Sequence, residues 1–238
     1  MKIALIGYGK MGHMIEEVAL QRGHEIVLRI NIDNKEDFNK ENIEMADVAI
    51  EFTGPDSAFE NVRQCLEFGI PVVSGSTGWN DKLETARSIC MQKNGSFLHA
   101  SNFSIGVNIF FEINQLLAKM MATHDDYQVS MKEIHHTEKK DAPSGTAVTL
   151  AEQVLSHLTH KKKWVNSSTD RSDELPIISE RTDPAPGTHI VTYNSDVDEI
   201  QIIHTAHNRK GFALGAVLAA EHIMDKRGNF SMKDVLHL

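Results

Sequence analysis

Lys2-Ile3-Ala4-Leu5-Ile6 reads as a short buried strand that passes without a spacer into Gly7-Tyr8-Gly9-Lys10-Met11-Gly12, and then into a helical pattern with Ile15, Val18 and Ala19 on one face. Strand, tight turn and helix in this order constrain the chain more than any other feature, because G-x-G-x-x-G in that setting uses each glycine differently. The first makes the turn, the second lets backbone approach a pyrophosphate, and the third lets helix pack closely on strand. Gly7, Tyr8, Gly9, Lys10, Met11 and Gly12 are therefore the expected dinucleotide contacts.

A second strand, Glu25 to Ile30, ends where such folds present an acid to the adenosine ribose. Asn31 comes first and Asp33 two residues later, so Asp33 is the better chemical candidate. With Arg29 beside it, the segment leaves NADH and NADPH both open. The rhythm continues with strands 48–52, 71–74 and 96–99 and helices 58–68 and 81–92, which indicates a parallel sheet. Ligands on such sheets bind beyond the carboxyl ends of the strands. Those ends read Thr53-Gly54, Gly75-Ser76-Thr77-Gly78 and Ala100-Ser101-Asn102-Phe103, each of which is also ordinary turn chemistry. Gly75, Ser76 and Thr77 are the favoured coenzyme contacts among them, with Ala100 to Phe103 as further candidates.

After Asn102 the rhythm changes. An apolar helix over 105–121 leads to an alternating strand (Tyr127, Val129, Met131), a loop broken by Pro143, and a helix over 146–158. Strand patterns at 177–180, 189–194 and 199–204 then follow without intervening helices. The expected fold is α/β: a Rossmann-type parallel sheet domain plus an α+β domain with a mixed, mostly antiparallel sheet. The expected division is 1–104 for dinucleotide binding, 105–209 for substrate binding and oligomerisation, and 210–238 for C-terminal helices returning to the first domain. Asn166 to Asp173 is polar enough to be a mobile surface loop.

Composition narrows the function. A net charge of −9 argues against a nucleic-acid surface, since phosphate backbones need clustered cations. The one basic run, Lys161-Lys162-Lys163, is expected to cap the C-terminus of the preceding helix. No window approaches a membrane span, and the first apolar run is too short for a cleavable signal, so a cytoplasmic protein is expected. Cys65 and Cys90 sit in helical patterns without CxxC or His spacing, and are expected as buried free thiols, with no metal assigned.

The chemistry concentrates in Glu133-Ile134-His135-His136-Thr137-Glu138-Lys139-Lys140-Asp141-Ala142-Pro143-Ser144-Gly145-Thr146-Ala147. Two imidazoles and two ammonium groups lie just before a helix N-terminus, whose unpaired N–H groups and dipole favour an anion. With a dinucleotide site upstream, this points to hydride transfer onto an anionic substrate. The stretch resembles the signature of the dihydrodipicolinate reductase family, the 4-hydroxy-tetrahydrodipicolinate reductases of the diaminopimelate route to lysine. The likeness extends to Gly7 to Gly12, Phe52-Thr53, Gly75 to Gly78, Ser101 to Ser104, Gly187-x-His189, His204, Arg209 and Phe212 to Ala216. Many members space the first glycines one residue wider and have Asp where Glu51 stands here, departures that bear on coenzyme preference.

The resemblance implies NADPH or NADH as coenzyme, a small dicarboxylate as substrate and a homotetramer. It implies His135 as proton donor, Lys139 as the charge beside the ring, and His136, Gly145 and Thr146 as holders of a substrate carboxylate, while Lys140 is a solvated surface lysine. Two other readings stand beside it: a two-domain dehydrogenase of the aspartate type, and a non-catalytic coenzyme-sensing regulator.

Overall fold

The computed structural model describes residues 1–238. The first elements are β1 (Lys2–Ile6), α1 (Lys10–Gln21), β2 (Glu25–Ile30), α2 (Lys40–Ile43), β3 (Val48–Glu51), α3 (Pro55–Glu67), β4 (Val72–Ser74), α4 (Leu83–Gln92) and β5 (Ser96–His99). The chain continues through α5 (Ile105–Met121), β6 (Gln128–His135), α6 (Gly145–His157), β7 (Lys163–Val165), β8 (Glu174–Arg181), β9 (Gly187–Asn194) and β10 (Glu199–Ala206). It ends in α7 (Lys210–Ile223), β11 (Gly228–Phe230) and α8 (Met232–Leu236). Two compact units result, one of residues 1–105 with 210–238 and one of residues 106–209.

The first unit is built on a sheet of order β11-β5-β4-β3-β1-β2, parallel throughout. Neighbouring strand residues serve opposite cores. Ile3, Leu5, Val48, Ile50, Val73 and Leu98 pack with α1 and α7, whereas Ala4, Ile6, Ala49, Val72 and Phe97 pack with α3 and α4. A sheet covered on both faces needs apolar residues at every position, which is why these strands read as runs and not as alternations. Cys65 and Cys90 are buried free thiols in the second of these cores. α7 is tied down at its end by Arg22 and His24, both of which reach the Glu221 carboxylate.

The second unit has a sheet of order β10-β9-β6-β8-β7. Its β10/β9 and β9/β6 pairings are antiparallel, and its β6/β8 and β8/β7 pairings are parallel. The sheet is thus mixed, with the longer pairings antiparallel, and its parallel pairings arise because α6 crosses between β6 and the β7/β8 pair and brings the chain back in the same direction. α5 and α6 cover one face, burying Val129, Met131, Leu175, Ile177, Val191 and Tyr193. β6 alternates buried and exposed residues along this one-sided sheet, which sends Glu133 and His135 to the same side.

The lysine run does not cap α6. Lys161 is buried and its ammonium donates to the Glu174 carbonyl, Lys162 donates to the Thr159 carbonyl, and Lys163 lies in β7 and pairs with the Glu174 carboxylate. The α6 helix stops at His157, so these cations lie beyond its last turn and pin the short β7 edge instead.

Candidate active site

In the first unit the chain runs outward to either side from β1, to β2 on one side and to β3 on the other, so the crevice between the ends of β1 and β3 is the switch point of the sheet. A cavity of about 520 Å³ opens there, lined by Gly7, Tyr8, Gly9, Asn31, Lys35 and Thr53 among others. A neighbouring one of about 420 Å³ brings Lys10, Met11, Gly75, Ser76 and Thr77 to Gly9 and Thr53.

The three glycines have separate duties. Gly7 holds φ +97°, and a Cβ there would lie 2.2 Å from the Phe52 carbonyl oxygen. A Cβ on Gly12, which is buried, would lie 2.6 Å from the Gly7 carbonyl oxygen. At Gly9 a Cβ would meet nothing within 4 Å. Gly9 also caps α1 without a side-chain hydrogen bond, which leaves the first N–H groups of that helix to an incoming group. Open space over a helix N-terminus fits a pyrophosphate.

The far wall is set by Glu51, fully buried at the end of β3. Its carboxylate accepts from the hydroxyls of Ser74 at 2.5 Å and Ser76 at 2.7 Å, and from the N–H of Thr53 at 2.8 Å. One carboxylate thereby fixes the loops after β3 and β4.

Asp33 does not line the cavity, whose rim at β2 is formed by Asn31, Ile32 and Lys35. The reason is local: Asn31 caps the turn that follows β2, and Asp33 is exposed within that turn. Arg29 is engaged by Glu16 and lies over the Tyr8 ring. Ala100, Ser101, Asn102 and Phe103 line neither cavity. Phe103 is core, packed near Phe52, and Asn102 turns its side-chain oxygen to the N–H of Ser104.

In the second unit, the end of β6 gathers most of the charged stretch. His135 is 8% exposed and Glu133 fully buried, with Nε2 of His135 3.6 Å from a Glu133 carboxylate oxygen. Strand register supplies the partners on either side. His189 of β9 stands opposite Glu133, and Arg181 of β8 stands opposite His135. The His189 and His135 Nε2 atoms are 3.4 Å apart, and Arg181 reaches the second Glu133 oxygen at 3.0 Å. Arg181 also donates to the carbonyls of Lys139 and Asp141, which anchors the loop between β6 and α6.

Ser144 caps α6, accepting from the N–H of Ala147, while its own N–H donates to Glu133 at 3.0 Å. The helix N-terminus is therefore bonded to the strand that carries His135. Gly145 is exposed and Thr146 half-buried in the first turn. Lys139 holds its ammonium 2.8 Å from Asp141, His136 is half-buried, and Lys140 is exposed. Gly187 holds φ +153° against the His135 ring, where a Cβ would come within 2.9 Å of the imidazole. Only glycine allows that approach.

Burial lowers the His135 pKa below the ordinary imidazole value, against the upward pull of Glu133, and Lys139 and Arg181 push it down further. Burial together with the neighbouring His135 brings His189 down to about 4. Glu133 is raised by burial, but donors from Ser144, Ser179 and Arg181 outweigh that and hold it below the usual carboxylate range. The site is thus a fixed carboxylate flanked by two imidazoles, with cations and a helix N-terminus around it. Such a group can donate a proton beside a bound anion. Sequence reasoning missed Arg181 and gave His189 no role, since only strand register brings them to His135, and it gave none to Glu133, which shares a face of β6 with His135.

The comparisons with known proteins agree along the whole chain. The family described as dihydrodipicolinate reductase, N-terminus, matches residues 1–103, and dihydrodipicolinate reductase, C-terminus, matches residues 106–236. A 4-hydroxy-tetrahydrodipicolinate reductase of Christiangramia forsetii is 52% identical over 236 residues, covering 99% of this chain and 98% of the relative. That of Thermosipho africanus is 33% identical over 244 aligned residues, with 99% and 98% covered. Among solved structures, the dipicolinate-bound dihydrodipicolinate reductase from Paenisporosarcina sp. TG-14 shares the fold, with a TM-score of 0.80 at 22% identity over 98% of each chain. An amine dehydrogenase from Mycobacterium smegmatis also shares it, with a TM-score of 0.64 at 11% identity over 98% and 95% of the two chains, so fold alone does not decide the chemistry. Matched in both halves and more than half identical to a full-length relative, the chain belongs to the dihydrodipicolinate reductase family.

Proposed function

We propose that this protein is an oxidoreductase that, with NADPH or NADH and one proton, converts 4-hydroxy-tetrahydrodipicolinate to tetrahydrodipicolinate and water, in the diaminopimelate route to lysine. The carrying observation is the buried Glu133–His135 pair beside the capped N-terminus of α6, in a chain that matches this family in both halves.

Bound coenzyme supplies the hydride. In the first unit, Gly7 to Gly12 and the N–H groups of α1 receive its pyrophosphate, and Gly75, Ser76 and Thr77 offer backbone and hydroxyl groups to its amide end. Lys35 is the only charged side chain lining the larger cavity, and its charge suits a ribose 2′-phosphate. NADPH is therefore accepted, and kcat/KM measured with both coenzymes tests the preference.

In the second unit the substrate, a small cyclic imine with two carboxylates, meets a local cluster of positive groups in a chain whose net charge is −9. His136 with the N–H groups of Gly145 and Thr146 holds one carboxylate. Lys139 leaves Asp141 for the ring and second carboxylate, stabilising negative charge as it develops. His135 delivers the proton that the reduced ring requires. Burial makes its imidazolium the stronger acid, and a bound dianion raises the protonated fraction.

A homotetramer is part of the same reading. The uncovered face of the second sheet carries Ile178, 37% exposed, and Ile203, 57% exposed, and burial between copies would remove this apolar surface from water. Sedimentation at several concentrations tests it. For the activity, purified protein is mixed with the synthase that makes the substrate, pyruvate, aspartate semialdehyde and NADPH. Consumption of NADPH only when all are present is expected, and no consumption would remove the reading.

A further inference from the structure

Three nitrogen and oxygen atoms converge under the proposed substrate site with no cation among them: Nε2 of His135, Nε2 of His189 and one carboxylate oxygen of Glu133. The two nitrogens are 3.4 Å apart, and they lie 3.6 and 3.8 Å from the Glu133 oxygen. A point equidistant from atoms so spaced is about 2.1 Å from each, which is the length of a zinc bond to imidazole nitrogen or carboxylate oxygen. All three residues are buried, at 8%, 5% and 0% exposure. Their positions are fixed from outside. Arg181 and the N–H of Ser144 hold the carboxylate, and Gly187 packs on the His135 ring.

We propose that Glu133, His135 and His189 form a site for a divalent transition ion of the zinc class, and that its occupation shuts off the reductase. Two imidazoles select such an ion over calcium or magnesium, which take oxygen ligands. Burial pushes both imidazoles toward the neutral form, which is the form that ligates a metal, and the ion would displace the Ser144 hydroxyl that lies 3.1 Å from Nε2 of His189. The second clause rests on the functional reading above: a metal on Nε2 of His135 occupies the atom from which the proton leaves. Occupation is reversible and weaker than in a dedicated structural site. The Nδ1 atom of His189 has no hydrogen-bond partner to orient the ring as a ligand, and Lys139 and Arg181 repel a cation.

Titration calorimetry with zinc chloride on the purified full-length protein, in a non-chelating buffer near neutral pH, tests the site without any turnover. One ion per chain is expected, with at least tenfold weaker binding in both His189→Asn and His135→Gln, each checked for folding by circular dichroism. Cobalt titrated in place of zinc gives the visible bands of a nitrogen-ligated ion in the wild type, and these are lost in both variants. The reductase assay is then run at buffered free zinc, so that chelation by substrate does not alter the concentration. Half-inhibition at the calorimetric dissociation constant supports the proposal. Absence of binding, or binding unchanged in both folded variants, overturns the site, and binding without inhibition overturns its effect on turnover. A protein that binds zinc as described but reduces nothing keeps the metal site and loses the reductase reading.

Discussion

Nε2 of His135 lies 3.6 Å from the carboxylate of Glu133, two residues earlier on the same strand. The carboxylate pulls the His135 pKa upward against the burial that lowers it. Glu133→Gln removes that pull, so the imidazole gives up its proton at still lower pH. Since the proposed donor works only when protonated, the limb on which kcat/KM falls with rising pH should move to lower pH in this variant. A limb that stays in place or moves upward contradicts the role assigned to Glu133.

His189 makes stability depend on pH. Its folded pKa of about 4 lies below the ordinary value of about 6.5, so the unfolded chain binds its proton first as pH falls. The contribution is present in full above 6.5, declines through the window between the two values and is gone below 4. The difference corresponds to about 3 kcal/mol for this 5% exposed ring. Urea unfolding of His189→Asn should therefore show a flatter decline in stability between those pH values than the wild type. Parallel declines would show that the ring titrates alike in both states.

Gly7 and Gly9 belong to one motif yet should fail differently. Gly7→Ala places a methyl 2.2 Å from the Phe52 carbonyl at φ +97°, and should lower stability by more than about 1 kcal/mol. Gly9→Val points into open space, so the fold should survive while coenzyme binding weakens roughly tenfold or more. Thermal unfolding and calorimetry on both variants separate the two effects. Unchanged coenzyme affinity in Gly9→Val would reduce the loop to a turn.

Lys139 is half-buried and paired with Asp141, whereas Lys140 is exposed. Lys139→Ala should lose both turnover and substrate affinity, because truncating one partner of a desolvated charge contact costs about 2 to 5 kcal/mol. Lys140→Ala should cost less than about 1 kcal/mol. Steady-state kinetics on the two proteins compares them. If Lys140→Ala is the more damaging, the roles along this loop are misassigned.

What the sequence disclosed follows from which signals are local. The turn at Gly7 to Gly12, the apolar strands at the centre of the first sheet and the helix that follows Pro143 were legible because each is written in adjacent residues. β7 and β11 were not, since three residues carry no period, and α2 is a single turn. Arg181 and His189 join the site only through the registers of β8 and β9 against β6, and no spacing along the chain encodes a register. That β8 is the strand pairing in parallel with β6 was hidden for the same reason. Asp33 is an acid at the expected distance from the turn, but a local cap at Asn31 decides that Asn31 and Lys35 line the cavity.

The proposed reaction turns on His135 supplying the proton in hydride reduction of the dicarboxylate. Steady-state turnover of His135→Gln, beside calorimetric coenzyme binding on the same preparation, tests it most directly. The expected result is a kcat lower by roughly 10² to 10⁴ with coenzyme affinity unchanged. A variant that retains more than about half of the wild-type kcat would contradict it and remove His135 from the mechanism.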